Sequence, residues 1–305
     1  MISFRHFAGA LAAVAIIFAA AGIASASVAF PYTNNFTSDP TSVFTTGIST
    51  SGSSTASWAY ENGSAQYFPD SYLLTLNRVN GASAYAYSSV PITGVPSSAN
   101  SSFEIQADLD DLTDSVPATT NTTVGLRFLA DTTNTNTNAC VVDINVGNVL
   151  LNNLLNTGAV RAVAWNGGTA TVDPTSIQSS QPKMSPAPTI GTLAPAPSED
   201  TYLLQVFGYY DSGDKLDIQA AVYDVTAKTY VLNKTDLTPT HVTAPTGTNF
   251  GFFASTSSGS NSTITADFTN FSVTAVTPEP STFVLLGAGA IGLAVCGLRR
   301  KQRGA

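Results

Sequence analysis

Histidine and cysteine are nearly absent from this chain, with two of each among 305 residues. His6 and Cys296 lie near the ends, which leaves His241 and Cys140 for everything between. A single thiol cannot close an intramolecular disulfide, so stability has to come from the size of the core. One histidine and one cysteine do not make a zinc set. A Ser-His-Asp or Cys-His site would have to use His241, which sits in a Thr/Pro-rich stretch between Pro239 and Pro245. No Gly-x-Ser-x-Gly turn accompanies it. Cys140 reads as a small buried residue of a strand over 139–146.

Positive charge is scarce as well, with 12 Lys and Arg against 20 Asp and Glu. Five of the cations (Arg5, Arg299, Arg300, Lys301 and Arg303) lie at the two ends. The interior keeps seven against all twenty acids, a net charge of −13. Nucleic acid and anionic lipid both require clustered Lys and Arg, so neither is an expected partner. An acidic surface suits a secreted protein that meets neutral glycans or divalent cations.

Long apolar runs occur only at the ends. Arg5 and His6 precede an apolar stretch over 7–23, and Ala24-Ser25-Ala26 supplies a small-x-small cleavage pattern. Residues 1–26 therefore read as a secretory signal peptide, cut by signal peptidase beside Ala24 and Ala26. At the other end Pro278-Glu279-Pro280 is followed by an apolar segment over 282–298 and by Arg299-Arg300-Lys301-Gln302-Arg303. As a helix that segment spans about 25 Å, just short of a hydrocarbon core. The basic cluster acts as a membrane stop and places the C-terminus in the cytoplasm, with the preceding residues outside.

Tripeptide, short span and basic end, in that order, resemble the PEP-CTERM sorting tail of Gram-negative bacteria. The resemblance implies recognition by an exosortase that cuts near Pro278-Glu279-Pro280, with only transient residence in the inner membrane. It also implies an association with exopolysaccharide and biofilm. The expected organisation is a signal peptide over 1–26, an exported domain over 27–275 and a sorting tail over 276–305.

Within the exported domain Val, Ile, Phe and Tyr cluster in short runs, separated by Ser, Thr, Asn, Gly and Pro. This is β patterning, with no helical period. Residues 103–109 alternate strictly. Further strands are expected over 124–130, 141–146, 160–165, 202–210, 215–225, 229–232, 250–255 and 264–273. Asp211-Ser212-Gly213-Asp214 reads as a hairpin loop around Gly213. Six prolines make 166–200 a long surface excursion, and 235–248 a shorter one. Residues 148–157 fit either a helical turn or an edge strand. So many strands must stack to bury one face, which predicts an all-β, two-sheet antiparallel jelly-roll sandwich. The strand at 103–109, the strand and hairpin over 202–216 and the closing run over 266–273 resemble the concanavalin A/laminin-G-like superfamily. That resemblance implies that 30–36 lies beside 264–273. An immunoglobulin-like or carbohydrate-binding-module sandwich is the alternative.

The search for chemistry yields few residues. Glycosidases need paired carboxylates across a sugar-binding face. Glu104-Ile105-Gln106-Ala107-Asp108 has the alternation of the laminarinase-type hydrolases but carries Gln106 at the middle position, so no catalytic set is expected. Asp108, Asp110, Asp111 and Asp114 fall within seven residues at an expected strand end, where loop carboxylates and carbonyls suit Ca²⁺. For glycan contact the candidates are Trp165 with Asn166, and Trp58, whose rings serve either as sugar platforms or as core. The sequence thus points to an exported, non-enzymatic glycan-binding or exopolysaccharide-associated module of the cell surface or matrix. A structural or adhesive protein without a small ligand is the alternative, and a glycan-degrading enzyme the weakest reading.

Overall fold

The strict alternation of residues 103–109 becomes the middle of a 13-residue strand in a computed structural model, with Phe103, Ile105, Ala107 and Leu109 buried. The structure describes residues 27–50, 54–61, 71–79, 84–114, 122–131, 138–146, 150–151, 154–155, 158–167, 169–172, 182–187, 201–238, 241–256 and 261–276. In chain order the strands are β1 (Val28–Ala29), β2 (Tyr32–Asn34), β3 (Thr45–Thr50), β4 (Thr55–Glu61), β5 (Ser71–Arg78), β6 (Ala84–Thr93), β7 (Ser102–Asp114), β8 (Thr122–Ala130), β9 (Ala139–Asn145) and β10 (Leu150–Leu151). They continue as β11 (Leu154–Leu155), β12 (Val160–Asn166), β13 (Thr169–Val172), β14 (Tyr202–Tyr210), β15 (Lys215–Asp224), β16 (Thr229–Asp236), β17 (Val242–Thr243), β18 (Asn249–Thr256) and β19 (Ser262–Thr274). No α-helix occurs among the described residues.

Two sheets hold the fold. The eight-stranded sheet runs β1-β6-β18-β8-β9-β12-β13, with β3 also on β6. The nine-stranded sheet runs β16-β15-β14-β7-β19-β5-β4, with β17 on β15 and β2 on β19. All pairings are antiparallel except β1 with β6. One apolar core lies between the sheets. Phe252 of β18 stacks on Phe268 of β19 at 4.1 Å, and Phe103 of β7 meets Phe250 of β18 edge-on at 5.9 Å. Such aromatic pairs add about 1 kcal/mol each beyond the area they bury. The predicted all-β sandwich is the observed fold. The implied terminal pairing is present too: Tyr32, Thr33 and Asn34 face Val273, Ser272 and Phe271.

Several local expectations change. Strands β3 to β6 lie within 45–93, where the sequence patterning marks none. In β6 both faces are covered, so Ala, Ser and Tyr follow one another with no alternation to detect. Residues 148–157 contain a tight β ladder, Leu150 opposite Leu155 and Leu151 opposite Leu154, which favours the strand reading over a helical turn. The proline-rich excursion gives β13 at its start, and Lys183 bridges to Ala159. The rest of it, over 173–181 and 188–200, lies outside the described residues. The hairpin after β14 is as predicted, but its left-handed residue is Asp214, at φ 59°, rather than Gly213. Aspartate tolerates that region because its short side chain satisfies local backbone.

Candidate functional site

Where the ends of β6, β8 and β14 meet the start of β18, the connecting loops enclose a pocket of about 690 Å³. Its apolar floor is the edge of the core: Ile92, Leu129 and Phe250, with Tyr210 at the side. Its rim is polar, carrying Ser97 and Ser98 from the β6–β7 loop, Asp214 from the β14–β15 hairpin, and Thr246 and Thr248 ahead of β18. The volume falls in the ordinary range for small-ligand sites, and a few convergent polar groups over an apolar floor is the usual composition.

Each wall is fixed by local chemistry. Asp211 shapes the hairpin, its Oδ1 accepting from the backbone N–H of Gly213 at 2.7 Å and of Lys215 at 3.0 Å. His241 opens the facing wall. Its backbone N–H donates to Thr238 O at 2.7 Å, and its ring Nδ1 stands 3.0 Å from Asp211 Oδ2. The His241 ring first, then the two backbone donors, hold the Asp211 carboxyl down at about 2. Asn249 locks the same end, donating from Nδ2 to Ala130 O at 3.1 Å. Gly247 is required by packing: a Cβ there would stand 2.0 Å from the Ala130 carbonyl. Burial pushes the Tyr210 hydroxyl up to about 12, so it stays a protonated donor across the physiological range.

The sequence-derived candidates lie elsewhere. Glu104, Gln106, Asp108 and Asp110 project from the outer face of the nine-stranded sheet. Glu104 Oε1 accepts from Gln106 Nε2 at 2.6 Å and from Gln205 Nε2 at 3.1 Å. The carboxylate that a hydrolase would use as acid or base is thus held in a side-chain amide network. Burial pushes the Asp108 carboxyl up, against a hydrogen bond from Asn270 that lowers it. Asp110 accepts from Thr201 Oγ1 at 3.2 Å.

The expectation that Asp108, Asp110, Asp111 and Asp114 form a loop is corrected. All four lie within β7, whose backbone is paired with β14 as far as Leu109 and with β19 as far as Asp114. A Ca²⁺ shell needs free carbonyls and convergent carboxylates, and a paired strand offers fewer free carbonyls than a loop. Among the described residues no three His, Cys, Asp or Glu side chains converge as a metal set. The side chains of Asp111 and Asp114 are not among those described.

The two tryptophans separate. Trp58 of β4 points inward and is enclosed by Tyr72 at 5.2 Å, Phe268 at 6.0 Å and Phe252 at 6.1 Å, which covers the face a sugar would need. Trp165 of β12 is half-buried on the outer side of the eight-stranded sheet, since Ala162 and Ala164 face the core. Asn166 is tied by its Nδ2 to Thr243 O at 2.9 Å. None of these residues lines the pocket. Apart from its apolar lining, Tyr210 and Asp214, its residues are Ser, Thr, Gly and Pro of two loops, a composition that signals only turns.

Strand β19 ends at Thr274, and two residues later the description stops at Val276. Pro278-Glu279-Pro280, the apolar run and the basic end occupy the remaining C-terminal residues. Residues 276–301 match the PEP-CTERM protein-sorting motif. The chain therefore carries the signal of an exported protein handled by exosortase at the cell envelope. Ala24, Ala26, the PEP-CTERM tripeptide and the basic residues Arg299, Arg300, Lys301 and Arg303 all lie outside the described residues, as does the expected apolar helix.

No curated protein matches the sequence. Solved structures similar to this chain include the Emp46p carbohydrate recognition domain in its potassium-bound form, at 11% identity and TM-score 0.40, covering 79% of this chain and 94% of that one. Another is lectin I-B4 of Griffonia simplicifolia in its metal-free form, at 10% identity and TM-score 0.38, covering 81% and 99%. A third is an active-site-engineered GH43 glycoside hydrolase, at 12% identity and TM-score 0.41, covering 81% and 41%.

Proposed function

We propose that the exported sandwich is a non-catalytic glycan-binding module, delivered to the surface or matrix of a Gram-negative-type bacterium after exosortase processing. The pocket carries this reading. It joins an apolar floor to a rim of hydroxyls and one carboxylate, which matches a sugar ring with its apolar face and its fringe of donors and acceptors. The net charge of −13 supports a neutral rather than an anionic polysaccharide. The network around Glu104 supports the non-catalytic part, because two side-chain amides already occupy its Oε1.

The test is a polysaccharide array probed with the released domain, including the producer's own exopolysaccharide. Binding to at least one neutral polymer is expected. Asp214→Gly, which keeps the left-handed turn but removes the carboxylate, should weaken it at least tenfold, and Glu104→Gln should leave it unchanged. Absence of binding to every polymer would establish a structural or adhesive protein instead. Turnover on a broad glycan panel that Glu104→Gln abolishes would make it an enzyme.

A further inference from the structure

The sorting tail leaves the sandwich beside the pocket. Thr274 pairs with Glu104, which pairs with Phe207 on the next strand, and Tyr210 of the pocket lies three residues beyond Phe207 in the same direction. Val276, two residues past Thr274, therefore reaches the level of Ser102. From there Tyr210 is two strands away, about 10 Å. The other cleavable end arrives at the same pole. Val28 pairs with Ile92 of the pocket floor, Ala29 with Thr93, and Phe30 N–H donates to Thr93 O at 2.9 Å. The opposite pole of the sandwich carries the β15–β16 turn, with Asp224 opposite both Tyr202 and Thr229.

The tether is short. From Val276 to Phe283, where the apolar run begins, there are seven residue steps, at most about 25 Å when fully extended. The headgroup layer takes up roughly 5–8 Å of that distance. A chain still held by its apolar run keeps the pole with the pocket within about 20 Å of the headgroups, and carries the turn over 225–228 on the far side.

We infer that the pocket is membrane-facing until the PEP-CTERM tail is cut, so that cleavage opens it to polymeric ligands. The occlusion is one of distance, not adhesion, because Asp211 and Asp214 stand at that pole and are not attracted to anionic headgroups. The pocket's use for glycan rests on the function proposed above, but its orientation does not.

Single cysteines test the orientation without any glycan. Ser97→Cys on the pocket rim and Ala227→Cys on the opposite turn are each placed in a Cys296→Ser chain; both positions are exposed. Cys140 is fully buried and its thiol is pushed up by burial, so it gives no background. A maleimide carrying a polyethylene glycol of about 5 kDa is applied to spheroplasts of a host lacking exosortase, and to the released domain. Far-UV circular dichroism checks that both variants fold. In the tethered chain Ser97→Cys should label at least tenfold more slowly than Ala227→Cys, and in the released domain the two should label alike. Equal rates in both states would overturn the inference, as would a slow Ser97→Cys in the released domain. A released domain that labels as expected but binds no glycan would sink the proposed function alone.

Discussion

His241 Nδ1 stands 3.0 Å from Asp211 Oδ2, a side-chain contact that joins the two walls of the pocket beside the β15–β17 ladder. The hairpin that offers Asp214 is on one side, and the segment leading to Thr246 and Thr248 is on the other. Asp211 is held at about 2, below the ordinary aspartate value of ~3.9, so it binds protons more weakly folded than unfolded. Its contribution to stability is therefore complete above about pH 4 and is lost as pH falls towards 2. Melting temperatures of wild type and Asp211→Asn should differ at pH 6 and draw together as pH falls from 4 through 2; a gap undiminished at pH 2 would refute the assignment. In His241→Ala, NMR titration should find the Asp211 carboxyl moved back up towards ~3.9.

Arg161 and Asp143 form a fork on the outer side of the eight-stranded sheet, at 2.7 and 3.0 Å. The Asp143 side chain is 1% exposed and that of Arg161 31%. Removing the cation strands a buried carboxylate, whereas removing the anion leaves a guanidinium that still reaches water. Arg161→Ala should therefore cost about 3 kcal/mol, and Asp143→Asn less. In a domain of this size that is a melting temperature lower by roughly 6–12 °C for Arg161→Ala. A change under one degree would mean the pair adds nothing.

Gly247 has no room for a methyl group against the Ala130 carbonyl. Gly247→Ala must push the wall before β18 away from the end of β8, at about 1–3 kcal/mol. Urea unfolding should show a lower midpoint at an unchanged slope, with weaker glycan binding by the surviving folded protein. Wild-type affinity in this variant would show that the wall does not shape the pocket.

Processing is read by intact mass. The secreted protein should start near Ser27 and end near Pro280; a mass that includes Arg299 to Arg303 would mean that the tail stays on.

The parts of the fold that are legible in the sequence are those with one wet face. Residues 103–109 of β7, with Glu104, Gln106 and Asp108 alternating against Phe103, Ile105 and Ala107, disclose their strand, as do β14 and β15. Strands covered on both faces are harder. β8 and β18 show through their aromatic and aliphatic content, but β6, built of Ala, Tyr and Ser, does not. The pocket is hidden for a different reason. Ser97, Ser98, Thr246 and Thr248 are ordinary turn residues, and only the closing of four strand ends brings them together with Asp214. The tail is legible because a sorting motif depends on composition and order, which are one-dimensional.

Strand β19 is the last among the described residues yet lies inside its sheet, between β7 and β5. Until residues 262–274 emerge, both neighbours have bare edges and the core lacks Phe268 and Phe271. A growing chain cannot complete its sandwich early, because its longest-range pairings close last. Completion of the sandwich thus waits on the strand that immediately precedes the sorting motif.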